Sequence, residues 1–217
     1  MKTHIFANGE FTAPINPLNI HENDLVIAAD GGSRHCQALD IQPRVLIGDL
    51  DSTDPSLVDK WRGEGVEIIQ HPEDKDQTDL ELALMLAQDR GADKIVVYGA
   101  IGGRLDMTFG NLFLLAHPDL TTPTTLINGA EEVHLLHAGD LLTLVGKPGD
   151  MVSLVPGQPG DSVVSITGFL YTLKSEALEF GKTRGLSNQL TGIRGTIHLY
   201  RGLLAVIHTR KTPLEEI

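Results

Sequence analysis

Aspartates and glycines gather in five short segments of the first half of this 217-residue chain: Asn8-Gly9, Asp30-Gly31-Gly32, Gly48-Asp49-Leu50-Asp51-Ser52, the run His71–Asp79, and Gly99–Asp106. Asp49 and Asp51 are the most informative pair. Carboxylates two apart in an extended segment point to the same side, and they repel unless a cation or proton lies between them. Hard oxygen ligands of this kind suit Mg²⁺, which binds through one or two carboxylates plus substrate phosphates. The competing reading is a helix N-cap at Asp51 or Ser52 with acidic first-turn residues. In Asp74-Lys75-Asp76-Gln77-Thr78-Asp79, four charged side chains precede a helix whose free N–H groups favour phosphate; Asp79 also reads as an ordinary first-turn acid. Gly99-Ala100-Ile101-Gly102-Gly103-Arg104 is neither a Walker A loop nor a dinucleotide fingerprint. Its glycines permit close backbone approach to a ligand, and Arg104 offers a planar fork for phosphate. Asp106 would hold either Arg104 or a metal.

The elements around these segments say how they could meet. Apolar runs at His4–Ala7, Leu25–Ala29, Val45–Ile47, Val66–Ile69, Lys94–Tyr98 and Thr124–Ile127 do not alternate, which is how strands buried on both faces of a parallel sheet read. Thr78 and Glu81 fit a capping box, followed by Leu80, Ala83, Leu84 and Ala87 on one helical face and a stop at Gly91. A second helix is expected with Leu105, Phe109, Leu112, Phe113 and Ala116 on one face and Pro118 beyond its end. Strand–helix alternation predicts an α/β layer fold with right-handed crossovers. Ligands then bind beyond the carboxyl ends of the strands, where all five segments fall.

After about Ala130 turn signals crowd in at Gly139-Asp140, Lys147–Asp150, Pro156–Asp161 and Gly192–Gly195, separating short runs at Leu141–Val145, Met151–Val155, Val163–Ile166, Thr196–Tyr200 and Leu203–His208. This predicts a smaller all-β domain, a sandwich or small barrel. The expected division is a Rossmann-like, mainly parallel α/β domain over residues 1–130 and an all-β sandwich over 131–217.

Composition narrows the partners. Seventeen Lys and Arg against 29 Asp and Glu give a net charge of −12, with no basic stripe for nucleic acid. A polyanionic substrate would need a bridging cation. No apolar run reaches the ~18–20 residues of a membrane span, and the stretch before Asn8 is too short for a signal peptide. With one cysteine, Cys36, no intramolecular disulfide can form; the expected location is the cytoplasm. His134 and His137, three apart in a β run, face opposite sides and read as structural. Trp61 reads as packing, Cys36 as an inert thiol, and Ser187 has no neighbouring base for nucleophilic catalysis.

The ordered set Ala29-Asp30-Gly31-Gly32, Gly48-Asp49-Leu50-Asp51-Ser52, Asp76-Gln77-Thr78-Asp79, Gly99–Asp106 and Arg184-Gly185-Leu186-Ser187-Asn188 resembles the thiamine pyrophosphokinase family. The resemblance spans nearly the whole chain and agrees with the two-part division. It implies Mg²⁺-dependent transfer of pyrophosphate from ATP to the hydroxyl of thiamine, giving thiamine diphosphate and AMP. It also implies a homodimer with thiamine held between subunits. Carried over by motif, Asp49, Asp51 and Asp79 organise Mg²⁺ and, with Asp106, form the catalytic set. Asp30, Gly31, Gly32, Lys75, Thr78, Gly103 and Arg104 line the nucleotide site. Ser187, Asn188 and Asp76 contact thiamine, and Asp79 accepts the hydroxyl proton.

The chain departs from the family pattern at Met107, where histidine is frequent, and it has no tryptophan in the C-terminal part to stack on thiamine. The alternatives are a related pyrophosphokinase acting on another alcohol such as a pterin, and a nucleotide-binding module without turnover.

Overall fold

The computed structural model describes residues 1–214 of a mixed α/β chain with a large sheet and few helices; residues 215–217, the end of the expected second domain, lie outside the described residues. The chain divides into two compact units, one of Met1–Ala13 with Leu18–Asn128, the other of Pro14–Pro17 with the chain from Gly129 onward.

In the first unit the strands are β1 (Lys2–Phe6), β2 (Leu25–Ala29), β3 (Val45–Gly48), β4 (Glu67–Gln70), β5 (Lys94–Tyr98) and β6 (Thr124–Asn128), lying in the order β6-β5-β1-β2-β3-β4. Every pairing among them is parallel. The apolar runs thus become strands within a residue or two of their expected ends, the usual uncertainty of strand boundaries. β2 and β3 are buried at every position while β4, at the edge, has no buried residue. Helices α1 (Ser33–Ala38), α2 (Pro55–Gly63), α3 (Asp79–Asp89) and α4 (Leu105–Leu114) separate the strands. Phe6, Val26, Ala28, Leu46, Leu57, Trp61, Val96 and Tyr98 form one core cluster, so Trp61 is packing, and Cys36 is buried with them. Each large side chain so buried contributes roughly 1.5–3 kcal/mol.

Helix α3 starts where its cap places it: Thr78 Oγ1 accepts the Glu81 amide at 3.2 Å. Leu80, Ala83, Leu84 and Ala87 are its buried face. Helix α4 turns part of its apolar face outward: Leu105, Phe109 and Phe113 are 68%, 52% and 50% exposed, and its one buried residue is Asn111. The helix carries apolar residues on more than one face, so periodicity alone does not select the buried one; Leu115, just past its end, is buried instead.

The second unit holds β7 (Glu131–His137), β8 (Leu141–Val145), β9 (Met151–Pro156), β10 (Asp161–Thr167), β11 (Leu173–Glu179), β12 (Asn188–Gln189), β13 (Arg194–Arg201) and β14 (Leu203–Thr209). One antiparallel set runs β12-β9-β14-β7 and another β11-β10-β13-β8. Burial alternates along β9, β10 and β13, as period-two strands with one covered face require. Val152, Leu154, Leu204 and Val206 of the first set join Leu144, Val164, Ile166, Leu178, Ile197 and Leu199 of the second in one core. Among the described residues no helix is long and apolar enough to cross a membrane.

Candidate active site

Strands β2 and β3 pair with Ala29 opposite Ile47, so Asp30 and Gly48-Asp49 leave the sheet side by side. Asp79 is the first residue of α3, which packs against both strands. One carboxylate oxygen from each of Asp30, Asp49 and Asp79 therefore lies within 4.8 Å of the others. Gly48 sits among them with φ of +147°; a Cβ there would fall 3.0 Å from Asp30 Cβ and from Asp79 Cγ and Oδ1. No side chain fits that position without displacing an acid.

The segment after β3 is a turn and not extended. Leu50 takes a left-handed φ of +68°, the Asp51 amide donates to Asp49 Oδ1 at 3.2 Å, and Asp51 Oδ1 accepts the Ser52 hydroxyl at 2.9 Å. Asp51 is exposed and is not one of the three convergent acids. Asp30, buried and itself at φ +43°, braces this turn. Its Oδ1 accepts the Ser52 amide at 3.2 Å and the Thr53 hydroxyl at 3.3 Å, and its Oδ2 accepts Asn8 Nδ2 at 3.2 Å.

Lys75 supplies the positive charge. Its Nζ lies 3.0 Å from Asp49 Oδ2 and 3.1 Å from Asp79 Oδ1. Burial works to raise the Asp49 carboxyl, but hydrogen bonds from Lys75 and the Asp51 amide hold it below the ordinary carboxylate range. Asp79 goes the other way. Burial, helped by the charges of Asp49 and Asp30, raises it despite Lys75. Burial works to lower the Lys75 ammonium, yet its two carboxylate partners raise it. Asp79 Oδ1 is enclosed and, despite its contact with the ammonium, has no aligned hydrogen bond among the described residues. An all-carboxylate donor set with an unsatisfied inner oxygen fits a hard divalent cation such as Mg²⁺.

Asp49 and Asp79 open onto a cavity of about 550 Å³ within the first unit. It lies beyond the carboxyl end of β1, the strand flanked by β2 on one side and β5 on the other, the position where open parallel sheets leave a crevice. Ala7–Glu10 form one wall and Gly99, Ala100 and Gly102–Arg104 another; Asp49, Lys75, Gln77, Thr78 and Asp79 also line it. Helix α4 pins the glycine loop. Asn111 Nδ2 donates to the Ala100 carbonyl at 2.7 Å, and Thr108 Oγ1 accepts the Gly102 amide and donates to the Arg104 carbonyl, both at 3.1 Å. Arg104 and Asp106 form a two-bond pair, with Nη2 2.6 Å and Nε 3.2 Å from the carboxylate oxygens. That pairing depresses the Asp106 carboxyl and raises the Arg104 guanidinium. Of its two expected roles, Asp106 here holds Arg104. Met107 lines the cavity.

Gly31 and Gly32 are buried and are not among the lining residues. A Cβ on either would strike Asn8 Oδ1 at 2.2 Å or the Phe6 carbonyl at 1.9 Å, so these glycines let the turn after β2 press against the end of β1. Arg34 clamps the same end, donating to the Asn8 and Gly9 carbonyls at 2.6 and 3.1 Å. Asp76 is exposed in the loop before α3. In the second unit Asn188 is buried, and its amide is committed to Tyr171: Oδ1 accepts the Tyr171 amide at 3.0 Å and Nδ2 donates to its carbonyl at 2.7 Å. Ser187 is exposed, takes a left-handed φ of +60°, and donates its amide to Ser153 Oγ at 3.1 Å.

Residues 18–127 match the thiamin pyrophosphokinase catalytic-domain family, and residues 141–204 match the vitamin B1 binding domain of thiamin pyrophosphokinase. The chain belongs to the thiamine pyrophosphokinase family. Among relatives, the thiamine pyrophosphokinase of Bacillus subtilis is 29% identical over 189 residues, covering 87% of this chain and 88% of its own. Thiamine pyrophosphokinase 1 of Arabidopsis thaliana is 27% identical, covering 91% and 83%. The crystal structure of the Bacillus subtilis enzyme superposes with a TM-score of 0.86 at 26% identity, over 97% of this chain and 100% of that one. That of Geobacillus thermodenitrificans gives 0.83 at 27% identity, over 96% and 97%.

Within this member of the family, sequence reasoning missed Arg34, Thr108 and Asn111 as parts of the site. A signal existed for two of them. Thr108 and Asn111 are polar residues inside an otherwise apolar helix, where such side chains usually serve a backbone partner.

Proposed function

We propose that the chain catalyses the divalent-metal-dependent transfer of pyrophosphate from ATP to the hydroxyl of thiamine, yielding thiamine diphosphate and AMP. The observation that carries this reading is the convergence of Asp30, Asp49 and Asp79, the last two lining a cavity of about 550 Å³ whose other wall is the Gly99–Arg104 loop. Family membership supplies thiamine and ATP as the substrates. Mg²⁺ is the proposed metal, which Asp49 and Asp79 would hold with Asp51 on the same turn as Asp49; when bound it would neutralise the polyphosphate for a protein of charge −12.

The chain's own residues then divide the work. Phosphoryl-type transfer rests mostly on positioning and charge stabilisation. Lys75, Thr78, Gly103 and Arg104 face the polyphosphate, the last steadied by Asp106. Asp30, Gly31 and Gly32 act from behind, fixing the turn that carries Asp49. Asp79, which lines the cavity, is the proposed acceptor of the thiamine hydroxyl proton. The β-phosphorus is attacked in line with the departing AMP, and no covalent intermediate is required.

The first unit is read as Rossmann-like and the second as a β sandwich that presents Ser187 to thiamine. Because the Asn188 amide is taken by Tyr171, its contribution is to hold the Ser187 turn. Asp76 is assigned to the thiamine side of the cleft. A homodimer with thiamine at the subunit interface completes the reading. The exposed Leu105, Phe109 and Phe113 on α4 are the apolar surface this assembly would cover. The buried free thiol of Cys36 accords with a reducing cytoplasm.

The test is product analysis of the purified protein with ATP, Mg²⁺ and thiamine, with and without EDTA. Equimolar AMP and thiamine diphosphate, abolished by EDTA, is the expected result. ADP, or AMP formation that ignores thiamine, overturns it.

A further inference from the structure

The acidic cluster already contains a cation of its own. Lys75 Nζ bridges Asp49 Oδ2 at 3.0 Å and Asp79 Oδ1 at 3.1 Å. The three side chains are only 11%, 16% and 22% exposed, so this is not a solvated surface pair. The third acid, Asp30, is spoken for by Asn8, Ser52 and Thr53. A divalent ion taking oxygens from these carboxylates must lie between them, on ground the ammonium holds. Two cations cannot share the same inner oxygens at such range without strong repulsion.

We propose that Lys75 is a resident counter-cation of the acidic cluster, displaced when the divalent metal binds and thereby released to the cavity for the polyphosphate. The inference rests on reading the cluster as the metal site. Charge balance favours it: the two carboxylates that now share one ammonium, Asp49 and Asp79, are matched by one divalent ion once the ammonium has left. Lys75 already lines the cavity, on a flexible stem with three rotatable donors, so it can swing to an anion without backbone change. Metal and nucleotide then bind cooperatively. The metal vacates the lysine, and the nucleotide stabilises the vacated state. Without a metal, the same lysine keeps the clustered acids from repelling.

The test is Mn²⁺ binding, followed by electron paramagnetic resonance without nucleotide, for the wild type, Lys75→Met and Lys75→Arg. Lys75→Met has no ammonium to displace and should bind Mn²⁺ about tenfold more tightly than the wild type, the scale of two partly buried ion pairs. Lys75→Arg should stay near the wild type. In EDTA the melting temperature of Lys75→Met should fall, and Mg²⁺ should restore it. Amine labelling of the wild type gives a readout that needs no variant: acetylation of Lys75 should accelerate several-fold on adding Mg²⁺ while other lysines keep their rates. If the wild type and Lys75→Met bind Mn²⁺ equally, or Mg²⁺ leaves Lys75 labelling unchanged, the exchange is refuted and the metal site stands. If neither protein binds Mn²⁺, the metal reading falls and this proposal falls with it. Should Lys75→Met fail to fold, the labelling result decides alone.

Discussion

Each unit of the molecule encloses a group of carboxylates, and the two groups are balanced very differently. In the second unit Asp150 and His208 are buried, and Glu132 lies against them. Asp150 accepts the Lys147 and Lys211 amides at 2.9 and 3.0 Å and lies 3.4 Å from His208 Nε2. Glu132 accepts Arg210 Nε at 2.8 Å, and the same guanidinium donates to the Val145 carbonyl at 2.8 Å. Burial works to raise the Asp150 carboxyl, yet those amides hold it below the usual range. In the first unit only two of the three acids, Asp49 and Asp79, share the one ammonium, and Asp79 is pushed upward. The second network draws amide and guanidinium donors from the fold itself, leaving only His208 Nδ1 without a hydrogen bond among its described atoms, and so ties strands together. The first is under-neutralised, which costs stability and leaves the acids able to take a ligand.

That contrast breaks most sharply under substitution of one acid on each side. Asp49→Asn should lower kcat/KM by at least about a thousandfold while changing stability by no more than about 1 kcal/mol. Asp150→Ala should do the reverse. Stranding His208 and two amides should cost roughly 2–4 kcal/mol, with near-normal kcat/KM per folded molecule. Kinetics and urea titration of both variants read the difference, and similar profiles would erase the distinction. Gly48→Ala falls between, because a methyl among the three acids harms the site and strains the φ of +147°. A loss of about a hundredfold in kcat/KM and roughly 1–3 kcal/mol in stability is expected.

Titration sharpens the comparison. Burial, aided by Lys2, lowers His4 from 6.5 to about 4, and burial with Arg210 lowers His208. Between pH 6.5 and about 4 the unfolded chain therefore binds more protons at His4 and stability falls as the pH drops, with His208 shifting in the same direction. Asp150, depressed, adds a loss only at lower pH, as protonation approaches its folded pKa. Urea midpoints should therefore decline below about pH 6.5, and His4→Gln should flatten the upper part of that decline. The smallest effect belongs to the proposed thiamine contact: Ser187→Ala should raise the thiamine KM about threefold to tenfold and leave the ATP KM nearly unchanged. The opposite order would remove Ser187 from the thiamine site.

Much of this architecture is legible in the order of the residues alone. The unalternating apolar runs become the parallel strands because burial on both faces leaves no polar positions to read. Thr78 announces the start of α3 through its cap. What escapes such a reading depends on pairing across the chain. Asp30 joins Asp49 only through the β2–β3 register, and the turn at Leu50 takes Asp51 away from the convergent three although the spacing suggests otherwise. Strand β11, Leu173–Glu179, is hidden because charged residues interrupt its apolar positions. The exposed face of α4 carries residues any periodicity argument would bury; its buried Asn111 is explained by the Ala100 carbonyl, a partner on the loop before the helix that helical spacing does not indicate.

The solitary thiol has a practical corollary. Cys36 is fully buried, and its apolar surroundings push its pKa up to about 12, so almost no reactive thiolate exists near neutrality. The unmodified protein is already a silent background for maleimide chemistry, with no cysteine to remove first. Thiols introduced at exposed Asp89 in one unit and Lys174 in the other would be the only fast-reacting ones. A donor–acceptor dye pair could be attached to them without background labelling.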